Sequence, residues 1–476
     1  MKTQYLQRML IGLGLAMALI APWASATNYY VVASSQQPSP TPPWTNWGWA
    51  HTNLVEVVAA ARDNDIVYVT NNAKYYLTNQ ITVSYAITVR SWGPGGIYDP
   101  INTILDGNYP TTTNRHFTLN NYGATVAGFT LTNGWGSEKT NILGNAGANG
   151  GSIFLYYGMV TNCIIMRNYA LNTNASSDSG GGGIFFGNDS AKSGSVWNCT
   201  ISANSSRQYG GGINMKVGKW RIVNCTISGN STGIEGGGLY ASPNQPSVVI
   251  SNCCVVSNLS GCSAGGIKMN NYTECYNSVI MGNTANNDCG GGIRMGGACV
   301  LRNCLIADNL HTVGGGGGGI DAAGSGSLIQ NCTIVSNRTV QSGGGITLGI
   351  WYAASLTIEN TIIWGNREGA DGSGASSNLY IGQGPNTFTN CCTSPRIVSA
   401  YATEVNTITN DPRFVSVTAA DFRLQSDSPC INAGVNRDWM EGGWDAYGNR
   451  RIDNFRRTVD IGAYEYLSKG TVFGFQ

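Results

Sequence analysis

Charge is what this chain has least of. Asp, Glu, Lys and Arg make up 11% of its 476 residues, against about a quarter in an average soluble domain. The 27 cations stand against 26 anions, so no electrostatic footprint exists for nucleic acid or an anionic membrane, and both are disfavoured as partners. Histidine is nearly absent. His51, His116 and His311 lie far apart, no Cys-x-x-Cys pair occurs, and neither a metal nor a cofactor is expected. Past the first 26 residues no window is long and apolar enough to span a bilayer. Windows with three- and four-residue apolar spacing are missing over most of the chain, which excludes a helical repeat. What remains is 42% hydrophobic residues and 65 glycines, too apolar for disorder by charge repulsion.

The N-terminus reads as an address. Lys2 and Arg8 precede an apolar run from Met9 to Ala21 and a small-residue cleavage site, Ala24-Ser25-Ala26, the pattern of a secretory signal peptide over residues 1–26. The mature chain then starts at Thr27 with 25 cations against 26 anions. The expected location is extracellular or at the cell surface.

Repeats dominate the rest. Asn-Cys-Thr-Ile-Ser-Ala-Asn begins at Asn198, with close copies at Asn224 and Asn331 and weaker ones at Asn162, Asn252, Asn277, Asn303 and Asn360. A second Asn follows at the sixth position of all eight: Asn168, Asn204, Asn230, Asn258, Asn283, Asn309, Asn337 and Asn366. Between copies a glycine run ends in an aliphatic residue, as at Ile213, Leu239 and Ile267. Each unit holds three short runs of period-two alternation. This predicts an all-β fold, a right-handed parallel β-helix with three sheets and about eleven coils, rising about 4.8 Å per coil.

Stacking assigns the residue types. Both Asn columns read as side-chain amide ladders that satisfy buried polar groups. The glycines read as tight turns, since no lysine or hydroxyl residue completes a phosphate loop after them. Cys163, Cys199, Cys225, Cys253, Cys304 and Cys332 share one inward position and suit a ladder of free thiols. Cys262 with Cys289 is the pair better placed for a disulfide. The layout runs from a cap at 27–65, with a helix over Asn53 to Arg62, through coils at 66–400 and a closing module at 401–466 to a tail at 467–476. Met215, Met269 and Met295 should stack inside, as should Ile222, Ile250, Ile329 and Ile358.

Gly211-Gly212-Ile213 and Ile227-Ser228-Gly229-Asn230 resemble the repeats of polymorphic outer-membrane protein passengers, which are surface adhesins. Tyr29-Tyr30-Val31-Val32 and the Pro42–Trp47 stretch look like the N-terminal cap of secreted bacterial β-helix proteins of the pectin-lyase-like superfamily. Asp411-Pro412-Arg413-Phe414, Ser428–Gly434 and Val459–Tyr466 resemble the end module called choice-of-anchor Q. No series of alternating ten-residue strands follows Asn366, so no membrane barrel is expected there.

The superfamily resemblance implies that catalysis, where it occurs, comes from charged residues projecting outward on neighbouring coils. The outward position after each glycine turn reads Phe185, Asn214, Tyr240, Lys268, Arg294, Asp321 and Thr347. In a polysaccharide lyase Lys268 and Arg294 would neutralise a uronate carboxylate, with Lys268 as base. The plainer reading is a solvated charged face. Polygalacturonase-type motifs are missing, and the acidic residues, which lyases of the superfamily cluster around calcium, are scattered here. The residues therefore favour a non-catalytic, adhesin-like module that binds a polysaccharide or cell-surface glycan, with Tyr240, Lys268, Arg294 and Asp321 as candidate ligand contacts. A lyase acting on uronate-containing polysaccharide is the alternative.

Overall fold

The computed structural model describes residues 26–34, 40–136, 149–171, 179–242, 248–341, 343–349, 355–369, 374, 377–452 and 458–467. Residues 1–25 of the signal peptide expected over 1–26, and residues 468–476 of the tail expected over 467–476, lie outside them. Strands of consecutive coils pair in parallel into sheets of 14, 12 and 11 strands, here A, B and C, which form one parallel β-helix. A fourth, narrow ladder of eight two-residue strands, from Tyr169–Ala170 to Arg367–Glu368, adds to the three expected sheets. Parallel crossovers between strands of one sheet take the right-handed path.

The interior follows the alternation. Phe186, Met215, Ala241, Met269, Met295 and Ala322 occupy one register column and are fully buried. Ile222, Ile250, Cys275, Leu301, Ile329 and Ile358 occupy another. Inward apolar columns of this kind supply most of the stabilisation, at roughly 25 cal/mol per Å² buried.

The second Asn column is a continuous amide ladder. Asn258 Oδ1 accepts from the backbone N–H and Nδ2 of Asn230 at 2.9 and 3.0 Å, and Asn258 Nδ2 donates to Ile227 O and Asn283 Oδ1 at 2.9 and 3.0 Å. The same pattern recurs from Asn168 to Asn366 and ends on Asn378. The glycine runs answer to three separate demands. In Gly236-Gly237-Gly238 the first has φ 71°. A Cβ on the second would lie 2.3 Å from Gly265 O, and on the third 2.8 Å from Gly266 O and 3.0 Å from Asn258 Nδ2. The last glycine is therefore small to admit the backbone of the next coil and, beside it, the ladder.

The first Asn column corrects the expectation of a second ladder. Its members hold left-handed backbone, with φ from 48° to 54° between Asn162 and Asn390, a conformation that Asn tolerates better than most residues. Within the column, Asn303 Nδ2 donates to Asn277 and Asn360 Nδ2 to Asn331, while Asn198, Asn224 and Asn252 are exposed. Their common need is a bend.

All fourteen cysteines are free, so the Cys262–Cys289 disulfide is not formed. In the inward column each thiol donates to the carbonyl two residues back, as from Cys225 to Val223 O at 3.2 Å. Ser278 and Thr361 make the same bond in coils that lack the cysteine. The column selects a small donor, and sulfur chemistry is incidental to it.

At the N-terminal end the helix Leu54–Ala60 is capped by Asn53 and buries Leu54, Val57 and Val58 against the first coil. It ends before the expected Arg62, whose guanidinium donates to the carbonyls of Ala59, Ala60 and Ala61. The strand Asn28–Val31 pairs with Ile66–Thr70, so the cap segment also begins sheet A.

The C-terminal segment also departs from expectation. Ala402–Val405 is still a strand of sheet A. Beyond it, Phe414, Phe422, Leu424, Cys430 and Ile461 pack on Leu305, Val335, Ile362 and Cys392, the outer face of sheet B, so the module clamps the side of the solenoid. The motif that resembles choice-of-anchor Q does the fastening. Gly462 N donates to Asn360 O at 2.8 Å and Ala463 N to Thr333 Oγ1 at 3.0 Å, and a Cβ on Gly462 would lie 2.8 Å from Ile362. Buried Arg451 donates to Gly462 O, Ala463 O and Glu465. Among the described residues no helix is long and apolar enough to cross a membrane.

Candidate functional site

Parallel register places Phe185, Asn214, Tyr240, Lys268, Arg294, Asp321 and Thr347 in one outward column of sheet C. The four candidate residues are thus neighbours, one per coil. The column is not a solvated face. Tyr240 is 9% exposed, Lys268 8% and Asp321 2%, and the Arg294 side chain 16%.

Two acids that the sequence reading passed over complete the group. Glu235 Oε1 lies 3.3 Å from Lys268 Nζ and 3.5 Å from Arg294 Nη1, and accepts from Ser263 Oγ at 2.7 Å. Asp288 pairs with Arg294 Nη1, and Asp321 Oδ2 lies 3.4 Å from Arg294 Nε without an aligned hydrogen bond. The scattered acids therefore converge, as Glu235, Asp288 and Asp321, on two cations. Both missed residues lie just before the glycine runs, Glu235 in a single parallel bridge between Tyr209 and Ser263 and Asp288 beside Cys289, which bridges to Gly316. An acid within two residues ahead of a glycine run was the available signal.

Burial sets the electrostatics. It lowers the Lys268 pKa, with Arg294 acting in the same direction and Glu235 against. Arg294 is raised: desolvation pulls it down, and Asp321 and Asp288 outweigh that pull. Burial pushes the Asp321 carboxyl up to about 6, against the pull of Arg294 and Lys268. With Asp321 protonated the five groups sum to zero charge, and with it ionised to −1. The folded chain thus keeps a proton on Asp321 that the unfolded chain releases near pH 3.9, so this residue's contribution to stability falls as pH rises from about 4 to 6. Denaturant unfolding at pH 4, 5, 6 and 7 should show that decline in the native chain minus an Asp321→Asn variant; equal pH profiles would contradict it.

Tyr240 stands beside this cluster. Its ring lies 4.6 Å from that of Tyr209, and Lys216 Nζ lies 5.1 Å from both. Among the described residues no group of three His, Cys, Asp or Glu side chains is arranged to hold a metal ion. His116 is a core residue, between Leu105 O and Thr132 O at 3.0 Å, with burial lowering its pKa to about 4.

A second locus was invisible in sequence. Where the C-terminal module ends along sheet B, a groove of about 660 Å³ opens between the strip Asn224, Asn252, Thr226 and Cys254 and the wall Trp444 and Tyr447. Trp444 and Tyr447 are 51% and 65% exposed. Farther along the same strip the module itself occupies the amides: Asn303 donates to Trp444 O, Asn360 to Val435 O and Asn390 to Ala433 O, at 2.8 to 2.9 Å.

Residues 211–410 match the family model described as right handed beta helix region. No curated protein matches the chain. Among solved structures, the pectate lyase Pel9A shows 12% identity over 93% of this chain and 97% of its own, with a TM-score of 0.46. XylC in complex with xylose shows 9% identity over 93% and 99%, with a TM-score of 0.46. The alginate lyase AlyF-OU02 with G6 shows 15% over 81% and 89%, at 0.39. Likenesses at this level carry no argument about activity. The chain is a right-handed parallel β-helix, and the coils that hold the charged cluster lie within the stretch that matches the right-handed β-helix model.

Proposed function

We propose that this protein is a non-catalytic, adhesin-like β-helix that binds carbohydrate outside the cell. The observation that carries this reading is the state of the two cations. A uronate lyase needs Lys268 and Arg294 free to meet a substrate carboxylate. Here Glu235, Asp288 and Asp321 already fill that role from within the chain. Opening the pair to substrate would leave those acids without their cations at a covered site, at a cost of several kcal/mol. Lys268, although lowered in pKa by burial, has its nearest carboxylate within its own chain. The cluster is a cross-link between coils and turns.

Binding is supported by the exposed amides and rings elsewhere on the surface. Export is supported by the pattern over residues 1–26. A choice-of-anchor Q role for the C-terminal segment rests on its sequence motif. The test is an array of neutral and uronate-containing glycans. The expected outcome is retention on a defined subset of sugars with no cleavage of any; retention on none would overturn the reading.

A further inference from the structure

The groove between sheet B and the C-terminal module combines three features. One side is a strip of exposed side-chain amides and a hydroxyl, Asn224, Asn252 and Thr226, repeated at the coil spacing. The other is a pair of exposed aromatic rings, Trp444 and Tyr447. The third is its charge: no lining residue is a cation, and the lone carboxylate, Asp445, is consumed. Its two oxygens accept from the N–H groups of Tyr447, Asn449 and Glu465 and from Asn449 Nδ2, at 2.7 to 3.1 Å.

The wall is held in place. Asn303 Nδ2 anchors Trp444 O at 2.9 Å and Ala446 N donates to Ala463 O at 3.0 Å. The guanidinium groups of Arg450 and Arg423 lie 4.5 and 5.2 Å from the centres of the Trp444 and Tyr447 rings. Rings fixed in this way keep exposed area for a ligand without a large ordering cost on binding.

From this we infer that the groove is the glycan site, and that its ligand is an extended, uncharged oligosaccharide lying along the solenoid axis. The inference rests on the carbohydrate-binding reading above and adds the location and the class of sugar. The strip already shows what its amides do, because its continuation at Asn303, Asn360 and Asn390 donates to neutral carbonyl oxygens of this chain. The exposed stretch offers the same donors to neutral oxygens of a ligand. Spacing selects the polymer. Amides recur once per coil, about 4.8 Å apart, whereas an extended peptide repeats at about 3.3 Å per residue and about 6.6 Å per side. A pyranose chain advances by close to the coil spacing per residue, and each ring carries hydroxyls on both edges, so every coil can meet an acceptor although neighbouring sugars are rotated, with aromatic rings available for their apolar faces. The lining itself holds no cation for a polyuronate, and of the two beside its rings Arg450 donates to Gly442 O and Arg423 pairs with Asp421.

The test uses the full chain and measures binding of cellohexaose, xylohexaose and a galacturonate hexamer by calorimetry. Three variants report on the groove: Trp444→Ala, Tyr447→Ala and Asn252→Gly. The glycine variant removes the amide at a left-handed position where glycine is unstrained, so it reports on the side chain alone. Expected is binding of a neutral hexamer, weakened at least about tenfold by Trp444→Ala and about threefold to tenfold by Asn252→Gly, with the galacturonate hexamer weaker than either. Native-strength binding by all three variants would overturn the location and leave the carbohydrate reading standing. Preference for the galacturonate hexamer would overturn the ligand class. Failure of the native chain to bind any sugar, here and on the array, would overturn both.

Discussion

An Asn258→Ala variant is expected to lose about 3–6 kcal/mol of stability, or to fail to fold, although the residue touches no site. Asn258 is 1% exposed. Its truncation strips a partner from Asn230 N–H, Asn230 Nδ2 and Ile227 O at once. A buried polar group left unpaired costs about 1–3 kcal/mol. The control is Asn252→Gly, six residues earlier, at an exposed position with φ 53°, where the change should stay within about 0.5 kcal/mol. Denaturant unfolding of the two variants checks the contrast. Equal losses would mean that the two Asn columns share one role, against the ladder geometry.

The second large effect concerns Arg294. Replacing it with Met removes the cation that faces Glu235, Asp288 and Asp321 together and leaves Lys268 against Glu235, with Asp288 and Asp321 losing their ion pair. The expected cost is about 3 kcal/mol at pH 7, because carboxylates are left under cover without a counter-charge. Adding Asp321→Asn to Arg294→Met should recover part of the loss, and lowering the pH to 5, where Asp321 keeps its proton, should shrink it. Unfolding of the single and double variants at both pH values reads this coupling directly. A cation held ready for a substrate would behave differently: its removal would leave stability unchanged, since an open site has no internal acids to strand.

The repeat made most of the fold legible. A demand that recurs in every coil writes itself into every copy, so the inward columns, the second Asn ladder and the cysteine column were readable from spacing alone. Even so, the reasons for some residues were not. The first Asn column looked like the second, yet its backbone conformation, not its amide, is what recurs. The last glycine of each run looked like a turn residue, yet it clears the backbone of the next coil and the ladder beside it.

The site was half legible. Tyr240, Lys268, Arg294 and Asp321 sit on strands in fixed register, and alternation placed them together. Glu235 and Asp288 sit just ahead of the glycine runs, outside the strands whose alternation could be read, so the acids that turn two apparent catalytic cations into a cross-link went unseen. The groove was beyond reach for another reason. Its wall at Trp444 and its floor at Asn224 are far apart in sequence, and nothing local shows that the C-terminal module lies along sheet B and stops at that coil.

Whether the cations act on substrate or on their own chain is settled most directly by one time course. The purified chain is incubated with polygalacturonate, alginate and other uronate polysaccharides while the ultraviolet absorbance of unsaturated product is followed. The account predicts a flat trace on every substrate, identical for the native chain and Lys268→Ala. A rising trace that disappears in Lys268→Ala would contradict it and make the charged column a lyase site.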